Sequence, residues 1–161
     1  MQILYQEKLK SKWITIIFLL FSLIFLFFIL YQFFIGPLGN NPAPNWVLII
    51  MFLIFMFLAL NFISLVIQVT PEFIIVGYGI FKHRIALDDI EDIYSDKSSF
   101  VNYGGWGIRL GRVKGRWRLV YNIPKASQVV LSMKKGIFKE FVFSTENPDE
   151  LMSIIHEQIS I

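Results

Sequence analysis

The chain has 161 residues, of which 55% are hydrophobic and 17 are phenylalanine, a composition too apolar for an ordinary soluble domain. Its formal net charge is +3, and residues 13–71 contain no Asp, Glu, Lys or Arg, so this stretch is not a water-exposed surface. The absence of cysteine excludes disulfides, thiolate metal sites and a cysteine nucleophile.

Two long apolar segments follow a short N-terminal segment, residues 1–12. The first covers residues 13–35 and the second covers residues 46–67; as a helix rising about 1.5 Å per residue, each crosses a hydrocarbon core of roughly 30 Å. The intervening sequence GPLGNNPAPN contains three Asn, three Pro and two Gly, which predicts a turn. The sequence therefore predicts a transmembrane helical hairpin over residues 13–68.

Positive charges flank this hairpin and predict its orientation. Lys8, Lys10 and Lys12 precede the first span, Lys82 and Arg84 follow the second, and the turn is uncharged. Because Lys and Arg are in excess in cytoplasmic loops, we expect a multi-pass protein of the cytoplasmic membrane with both termini in the cytoplasm. A cleaved signal peptide is disfavoured because the first apolar run is too long and lacks a cleavage site. A buried hairpin of a soluble protein is disfavoured because both segments are apolar all round.

Asn61 is the one strongly polar residue well inside the second span. Its amide could form a hydrogen bond to another helix, worth about 1 kcal/mol. Alternatively, Asn61 lies near the cytoplasmic headgroups, because it comes late in the span.

Residues 69–161 have an ordinary charge density and predict a cytoplasmic domain of antiparallel strands closed by a helix. Apolar and polar residues alternate after Trp106, which is typical of half-buried strands, and this alternation places Arg116 and Arg118 on a polar face. Asn147 precedes a proline and two acidic residues, a pattern typical of a helix N-terminus. The predicted fold class is a membrane α-helical hairpin plus an α+β domain.

The order of these motifs resembles a known family. The pleckstrin-homology-like (bacterial PH) domains of prokaryotic membrane proteins, which often follow a two-span hairpin, are similar to VTPEFIIVGYGIFKHRIALDDIEDI, then YGGWGIR, a hydrophobic strand pair and FSTENPDELMSII. The resemblance covers about residues 66–159 and departs at GRVKGRWRLVYNIP, where bulkier and more basic residues replace a glycine-rich hairpin. It implies a bent antiparallel sheet, or partly open barrel, of about seven strands capped by a C-terminal helix. Few members of the family have an assigned function.

The sequence YGGWGIR places Gly104, Gly105 and Gly107 around Trp106. A dinucleotide-binding loop needs a different glycine spacing and a following helix, and a nucleotide-phosphate loop needs Gly-Lys-Ser/Thr. The motif is therefore interpreted as structural, with glycines that allow unusual backbone torsions and Trp106 packed in the core. Arg109 projects from the glycine face, opposite Trp106, and is a candidate for binding.

A basic stretch covers residues 97–139, which contain ten Lys or Arg and no acidic residue. Next to anionic headgroups, each cation contributes about 1 kcal/mol to membrane binding. The alternative is an ordinary solvated strand surface. The candidate surface for lipid headgroups or a partner comprises Arg109, Arg112, Lys114, Arg116 and Arg118.

Two functional hypotheses follow from these features. The first is a non-enzymatic membrane-anchored module that docks on the inner leaflet and presents a surface to a protein partner. The second is a small subunit or assembly factor of a larger integral membrane complex. A membrane-bound enzyme is disfavoured, because Asp88, Asp89, Glu91 and Asp92 crowd one solvated segment and no nucleophile–base arrangement is evident. His83 and His156 lack metal-ligand spacing, so no catalytic residue, metal or cofactor is predicted. Nucleic acid is disfavoured because the cytoplasmic domain is nearly neutral.

Overall fold

The computed structural model describes residues 2–95, 105–113 and 115–159 and divides into two compact units. Unit 1 comprises Met1–Ser11 together with Ser64–Ile161, and unit 2 comprises Lys12–Ile63. The chain therefore begins in unit 1, passes through unit 2 and returns to unit 1.

Unit 2 is a pair of antiparallel helices, α1 (Lys12–Phe34) and α2 (Asn45–Asn61). The hydroxyl of Thr15 donates to the carbonyl oxygen of Phe62 at 3.0 Å, near the start of α1 and the end of α2. Ser22 is fully buried, and its small side chain allows close approach of the two helices. These contacts fix the pairing of the helices.

Aromatic rings fill the remaining space between α1 and α2. The ring of Phe55 stacks on Phe21 and Phe25 with centroid distances of 5.1 and 5.6 Å. Most other large apolar side chains of the pair are exposed, for example Leu20 at 55% and Leu53 at 56%. The pair therefore has a narrow packed seam and a broad apolar outer surface.

Among the described helices, α1 alone is long and apolar enough to cross a membrane by length and composition, with a mean hydropathy of 3.0. Its bounds agree closely with the first predicted span. The second helix is apolar but shorter, with 17 residues, and it ends at Asn61 instead of continuing to residue 67. The difference arises because Ser64–Val69 forms a strand, whose continuous apolar sequence resembles the end of a span.

Unit 1 contains a four-stranded antiparallel sheet, sheet 1, with strand order β1-β2-β3-β4. Its strands are β1 (Tyr5–Lys10), β2 (Ser64–Val69), β3 (Phe73–Tyr78) and β4 (Phe81–Ala86). At Gly77 in β3 a Cβ would lie 2.2 Å from the carbonyl oxygen of Phe81, so only glycine fits beside the turn into β4. The N-terminal segment thus contributes a strand to this sheet, where the sequence analysis predicted no element.

The second sheet of unit 1, sheet 2, has five strands in the order β5-β8-β9-β7-β6. Its strands are β5 (Ile90–Ser95), β6 (Gly107–Val113), β7 (Arg116–Asn122), β8 (Ser127–Met133) and β9 (Glu140–Thr145). All neighbours are antiparallel except β7 and β9, which are parallel. The described residues therefore form nine strands in two sheets, one with a parallel pair, where the resemblance implied about seven antiparallel strands.

Sheet 2 packs on sheet 1 with its strands running across those of sheet 1. Near the start of β9, Phe141 stacks on His83 of β4, with ring centroids 5.3 Å apart. At the end of β9, Thr145 donates its hydroxyl to Glu7 of β1 at 2.6 Å. Because β4 and β1 are the two edges of sheet 1, β9 crosses the whole width of that sheet.

A 3-10 turn, Leu87–Asp89, connects the two sheets, and α3 (Pro148–Ile159) follows β9. The helix begins at Pro148 as the sequence predicted, with Asp149 in its first turn. Leu151 and Ile155 are fully buried and hold α3 against β5 and the 3-10 turn. The observed architecture is α+β.

Candidate functional site

The strands β6 and β7 form an antiparallel ribbon that carries most of the candidate cations. Residues directly opposite each other in such a pair share a face of the sheet, and successive residues alternate between faces. Arg109 is opposite Val120 and Gly111 is opposite Arg118, which places these residues on one face with Arg116. Arg112 is opposite Trp117 on the other face. The candidate cations therefore do not form a single flat surface.

Arg118 is buried, with 8% of its side chain exposed, and forms an ion pair with Glu140 of the neighbouring strand β9. Its Nε donates to Glu140 Oε2, while the Tyr94 hydroxyl donates to Oε1 at 3.2 Å and Arg116 Nη1 lies 3.4 Å from the same oxygen. The sequence had placed Arg118 on a solvent-facing side. The prediction failed because this face of sheet 2 is covered and because Glu140 comes from a strand that pairs non-locally.

Three candidate arginines remain exposed on the ribbon. Arg109 donates from Nε to the carbonyl oxygen of Trp106 at 3.2 Å. The guanidinium of Arg112 lies 5.6 Å from the ring centroid of Trp117, within the range of a cation–π contact. Arg116 keeps 62% of its side chain exposed despite its contact with Glu140. Lys114 lies outside the described residues.

Two glycines of the YGGWGIR motif allow unusual backbone torsions at the start of β6. Gly105 has φ +139° and Gly107 has φ +89°, values that L side chains rarely adopt. The side-chain amide nitrogen of Asn122, Nδ2, donates to the carbonyl oxygen of Gly105 at 2.9 Å, and the Arg109 guanidinium occupies the space beside Gly105. Trp106 is half-buried, so it does not fill the core as predicted.

A strand, β6, follows these glycines, whereas a phosphate-binding loop opens a helix. Gly104 lies outside the described residues. The positive torsions of Gly105 and Gly107 and the strand that follows them agree with the structural interpretation of the motif.

The ribbon lies at the end of sheet 1 where the chain passes to and from unit 2. Tyr78, buried at the end of β3, donates its hydroxyl to the carbonyl oxygen of Asn122 in β7 at 2.9 Å. Burial raises the pKa of Tyr78, so the phenol stays protonated and remains a donor. Tyr78 is opposite Leu65, next to the first residue of β2. This contact places β7, with β6 outside it, near that end.

A second group of cations was not singled out from the sequence. The loop between β8 and β9 has the sequence KKGIFK and presents Lys134, Lys135 and Lys139 around Ile137, which is 85% exposed. The backbone nitrogen of Lys139 donates to the carbonyl oxygen of Trp117 at 3.1 Å, so the loop is adjacent to the ribbon. The two apolar residues between lysines in this loop were a usable signal in the sequence.

The chain matches no protein-family model, no curated protein and no solved structure. Within the described residues, no group of three or more His, Cys, Asp or Glu side chains is arranged to hold a metal ion.

We predict that Arg118→Gln lowers the free energy of unfolding by about 3 kcal/mol, because it leaves Glu140 as a buried charge without its main partner. Arg112→Gln removes an exposed cation and should change stability by less than about 1 kcal/mol. Urea unfolding of the full chain in a mild detergent, followed by tryptophan fluorescence, measures both variants. The double variant Arg118→Leu with Glu140→Met should recover most of the loss. Equal effects of Arg118→Gln and Arg112→Gln would contradict the buried ion pair.

Proposed function

We propose that the protein is a non-enzymatic membrane-anchored module, in which unit 2 is a two-span hairpin and unit 1 is a PH-like domain that docks on the inner leaflet. Unit 1 then presents a remaining surface to a protein partner. The observation that carries this proposal is the pairing of β1 with β2, in which Lys10 is opposite Ser64.

This pairing constrains how unit 2 can cross a bilayer. The strand β1 precedes α1 and β2 follows α2, yet the two strands are hydrogen-bonded neighbours. If only α1 crossed the membrane, β1 and β2 would lie on opposite sides and could not pair. An even number of crossings keeps the strands together, and the two helices supply two.

The lengths of the helices are compatible with two crossings. The 23 residues of α1 extend about 35 Å at about 1.5 Å per residue, which exceeds a hydrocarbon core of roughly 30 Å. The 17 residues of α2 extend about 25 Å and stand at the lower limit for a span. A short span is accommodated at modest cost when the bilayer thins locally or when flanking side chains extend to the membrane surface.

The polar groups inside the pair are satisfied within it, as a lipid environment requires. Ser22 donates to the carbonyl oxygen of Phe52 at 3.5 Å. The side-chain amide of Asn61 donates to the carbonyl oxygen of Phe57, one turn earlier in its own helix, at 2.9 Å. This bond supports the interpretation of Asn61 as a residue near the end of a span.

The orientation follows from the flanking cations. Lys8 and Lys10 lie in β1 and Lys82 and Arg84 in β4, all in unit 1, whereas the connection between α1 and α2 is uncharged. The positive-inside rule therefore favours unit 1 and both termini in the cytoplasm.

Two packed sheets with crossing strands and a C-terminal helix at one end support a PH-like interpretation of unit 1. The interface between the sheets includes Tyr78 stacked on Tyr121, with ring centroids 6.3 Å apart. The parallel β7–β9 pair and the N-terminal strand β1, which is separated from β2 by the helices, are features specific to this chain.

The docking surface is the exposed part of the β6–β7 ribbon. Leu110 and Trp117 are 63% and 48% exposed and share one face with Arg112, whereas the exposed Arg109 and Arg116 lie on the other face. The ribbon would therefore dock through its free edge, strand β6, with cations on both faces. Such a mixture of apolar side chains and cations suits the boundary between headgroups and acyl chains. The ribbon also lies at the end of sheet 1 from which both chain connections leave, so docking there needs no long linker.

The second candidate, a subunit or assembly factor of a larger membrane complex, is favoured by one observation. Apolar side chains cover the outer surface of α1 and α2, including Phe27 at 60% and Phe57 at 47% exposure. Partner helices could pack on this surface in place of lipid. Purification in a mild detergent distinguishes the candidates, because co-purifying integral subunits would favour the second.

We predict the same-side topology in a cysteine-accessibility experiment, which the absence of native cysteine makes direct. A cysteine at Asn41, between the helices, should react with an impermeant maleimide in intact cells, because that connection faces outward. A cysteine at Ser127, in unit 1, should react only after permeabilisation. Reaction at Ser127 and not at Asn41 in intact cells would reverse the orientation. A third cysteine, at Gln6 in β1, tests the hairpin itself: if it alone reacted in intact cells, β1 and the rest of unit 1 would lie on opposite sides of the membrane, which a two-span hairpin excludes.

We predict salt-sensitive docking of the ribbon in nanodiscs that contain the full chain. A fluorophore on Leu110→Cys should shift its emission to the blue in discs rich in anionic lipid relative to neutral discs, and salt should reverse the shift. Combining Arg109→Gln with Arg112→Gln should weaken docking by about 2 kcal/mol while leaving the buried Arg118 intact. The matched control, Lys125→Gln with Arg84→Gln, removes the same charge at exposed positions outside the ribbon and outside the β8–β9 loop. Identical emission in both lipids, or equal losses in both variants, would contradict the docking surface.

A further inference from the structure

A cavity of about 370 Å³ opens between β4 and the loop that connects β8 to β9. Its volume lies within the range of small-molecule sites. One wall is formed by β4, β7 and β9 of the two sheets, and the other by the loop. The lining residues include His83 and Ile85 of β4, Leu119 of β7, Phe141 of β9, and Lys135 and Phe138 of the loop.

The wall of the cavity is apolar over most of its extent. Ile85 and Phe141 are almost completely buried beneath it, with 3% and 2% exposure, so this part of the wall is anchored in the core. Burial lowers the pKa of His83, which stacks on Phe141, so the imidazole is largely uncharged at neutral pH and extends the aromatic wall. A polar metabolite would find few hydrogen-bonding groups here, whereas an acyl chain would be well accommodated.

Lys135 is the one Lys, Arg, Asp or Glu among the residues that line the cavity. Lys135 lines the cavity and is exposed, so its ammonium group lies at the mouth. Lys134 and Lys139 belong to the same loop, and none of the lining residues is acidic. An apolar interior with a cationic mouth is complementary to a molecule that has an apolar tail and an anionic head.

The tip of the loop also suits entry of such a molecule. Ile137 is 85% exposed, although isoleucine is among the residues most often buried. Phe138 follows it and lines the cavity. A side chain exposed to this degree beside a cavity can contact the acyl chain of a bound lipid or enter the surface of a bilayer.

We propose that this cavity binds the acyl chain of an anionic amphiphile, with Lys135 pairing with its acidic head. The ligand is either a free fatty acid or one chain of an anionic phospholipid, which share this chemistry. The site goes beyond the docking function, because its lining residues do not include Arg109 or Arg112. A variant that abolishes docking by the ribbon should still bind the acyl chain in this cavity, and a variant that fills the cavity should still dock through the ribbon.

Photo-crosslinking tests the proposal on the full chain in nanodiscs of neutral phosphatidylcholine. One sample receives palmitate that carries a diazirine in its chain, and a second contains phosphatidylglycerol with the same labelled chain. After irradiation, mass spectrometry locates the modified residues. We expect crosslinks at Met133, Phe138 or Leu119 with at least one probe, and the probe that reacts identifies the source of the chain. Unlabelled palmitate should compete with the labelled fatty acid.

Two variants and one control sharpen the test. Leu119→Trp fills the cavity and should abolish the crosslinks, with correct folding checked by thermal unfolding. Lys135→Glu should reduce them at least about fivefold, because loss of the cation alone costs about 1 kcal/mol and the new carboxylate repels the acidic head. Lys125→Glu makes the same change of charge at an exposed site outside the cavity and should have no effect.

Absence of crosslinks at the cavity with both probes would overturn the proposal. The same conclusion would follow from fatty-acid crosslinks that a large excess of unlabelled palmitate does not reduce, or from equal crosslinking in Lys135→Glu and Lys125→Glu. The competition measurement uses the unmodified chain, so it remains decisive if Leu119→Trp fails to fold.

Discussion

The pairing of β1 with β2 is the constraint on which the rest of the structure depends. Six residue pairs, from Tyr5 with Val69 to Lys10 with Ser64, join two strands that are separated in sequence by both helices. Leu9 and Leu65 bury their side chains beneath the pair, and Glu7 of β1 accepts hydrogen bonds from Thr145 and from the backbone of Glu146. The N-terminal strand therefore closes sheet 1 and holds the end of β9. In the function that we propose, it also keeps both ends of the helical pair on one side of the membrane.

The crossing of the two sheets then determines where each candidate surface lies. Tyr78 ties β7 to the end of sheet 1 near the chain connections, so the exposed cations of the β6–β7 ribbon come to that end. Phe141 ties the start of β9 to β4, so the loop that carries Ile137 comes to the β4 edge. The packing of the two sheets thus positions both the β6–β7 ribbon, which is apolar and basic, and the cavity beside the β8–β9 loop, which is apolar and has Lys135 at its mouth. We propose that both bind lipids with negative charge, through different residues.

Sequence patterns predicted the elements that depend on local physics. The start of α3 at Pro148, the extent of α1 and the need for glycine at positions 105 and 107 all follow from caps, hydropathy and backbone torsions. The missed features depend on non-local pairing. The strand β1 is short and its partner lies beyond the helices, and the apolar sequence of β2 continues that of α2, so it resembled a longer span. The alternation of apolar and polar residues wrongly predicted that Arg118 is exposed to solvent. Its partner Glu140, and the residues that bury this face of the sheet, are distant in sequence. The cavity also forms between segments that are far apart in sequence.

Disulfide trapping of β1 against β2 tests this account most directly, because a chain without native cysteine gives no background. Gln6 is opposite Gln68 in the sheet, so the double variant Gln6→Cys with Gln68→Cys should form an intramolecular disulfide when isolated membranes are oxidised. Ile75 is opposite Gln68 on the next strand, which places it about 9–10 Å from Gln6, too far for a disulfide. The account predicts efficient trapping of Gln6→Cys with Gln68→Cys and little with Ile75→Cys in place of Gln68→Cys. No trapping of the first pair, or equal trapping of both, would contradict the pairing and the same-side arrangement that depends on it.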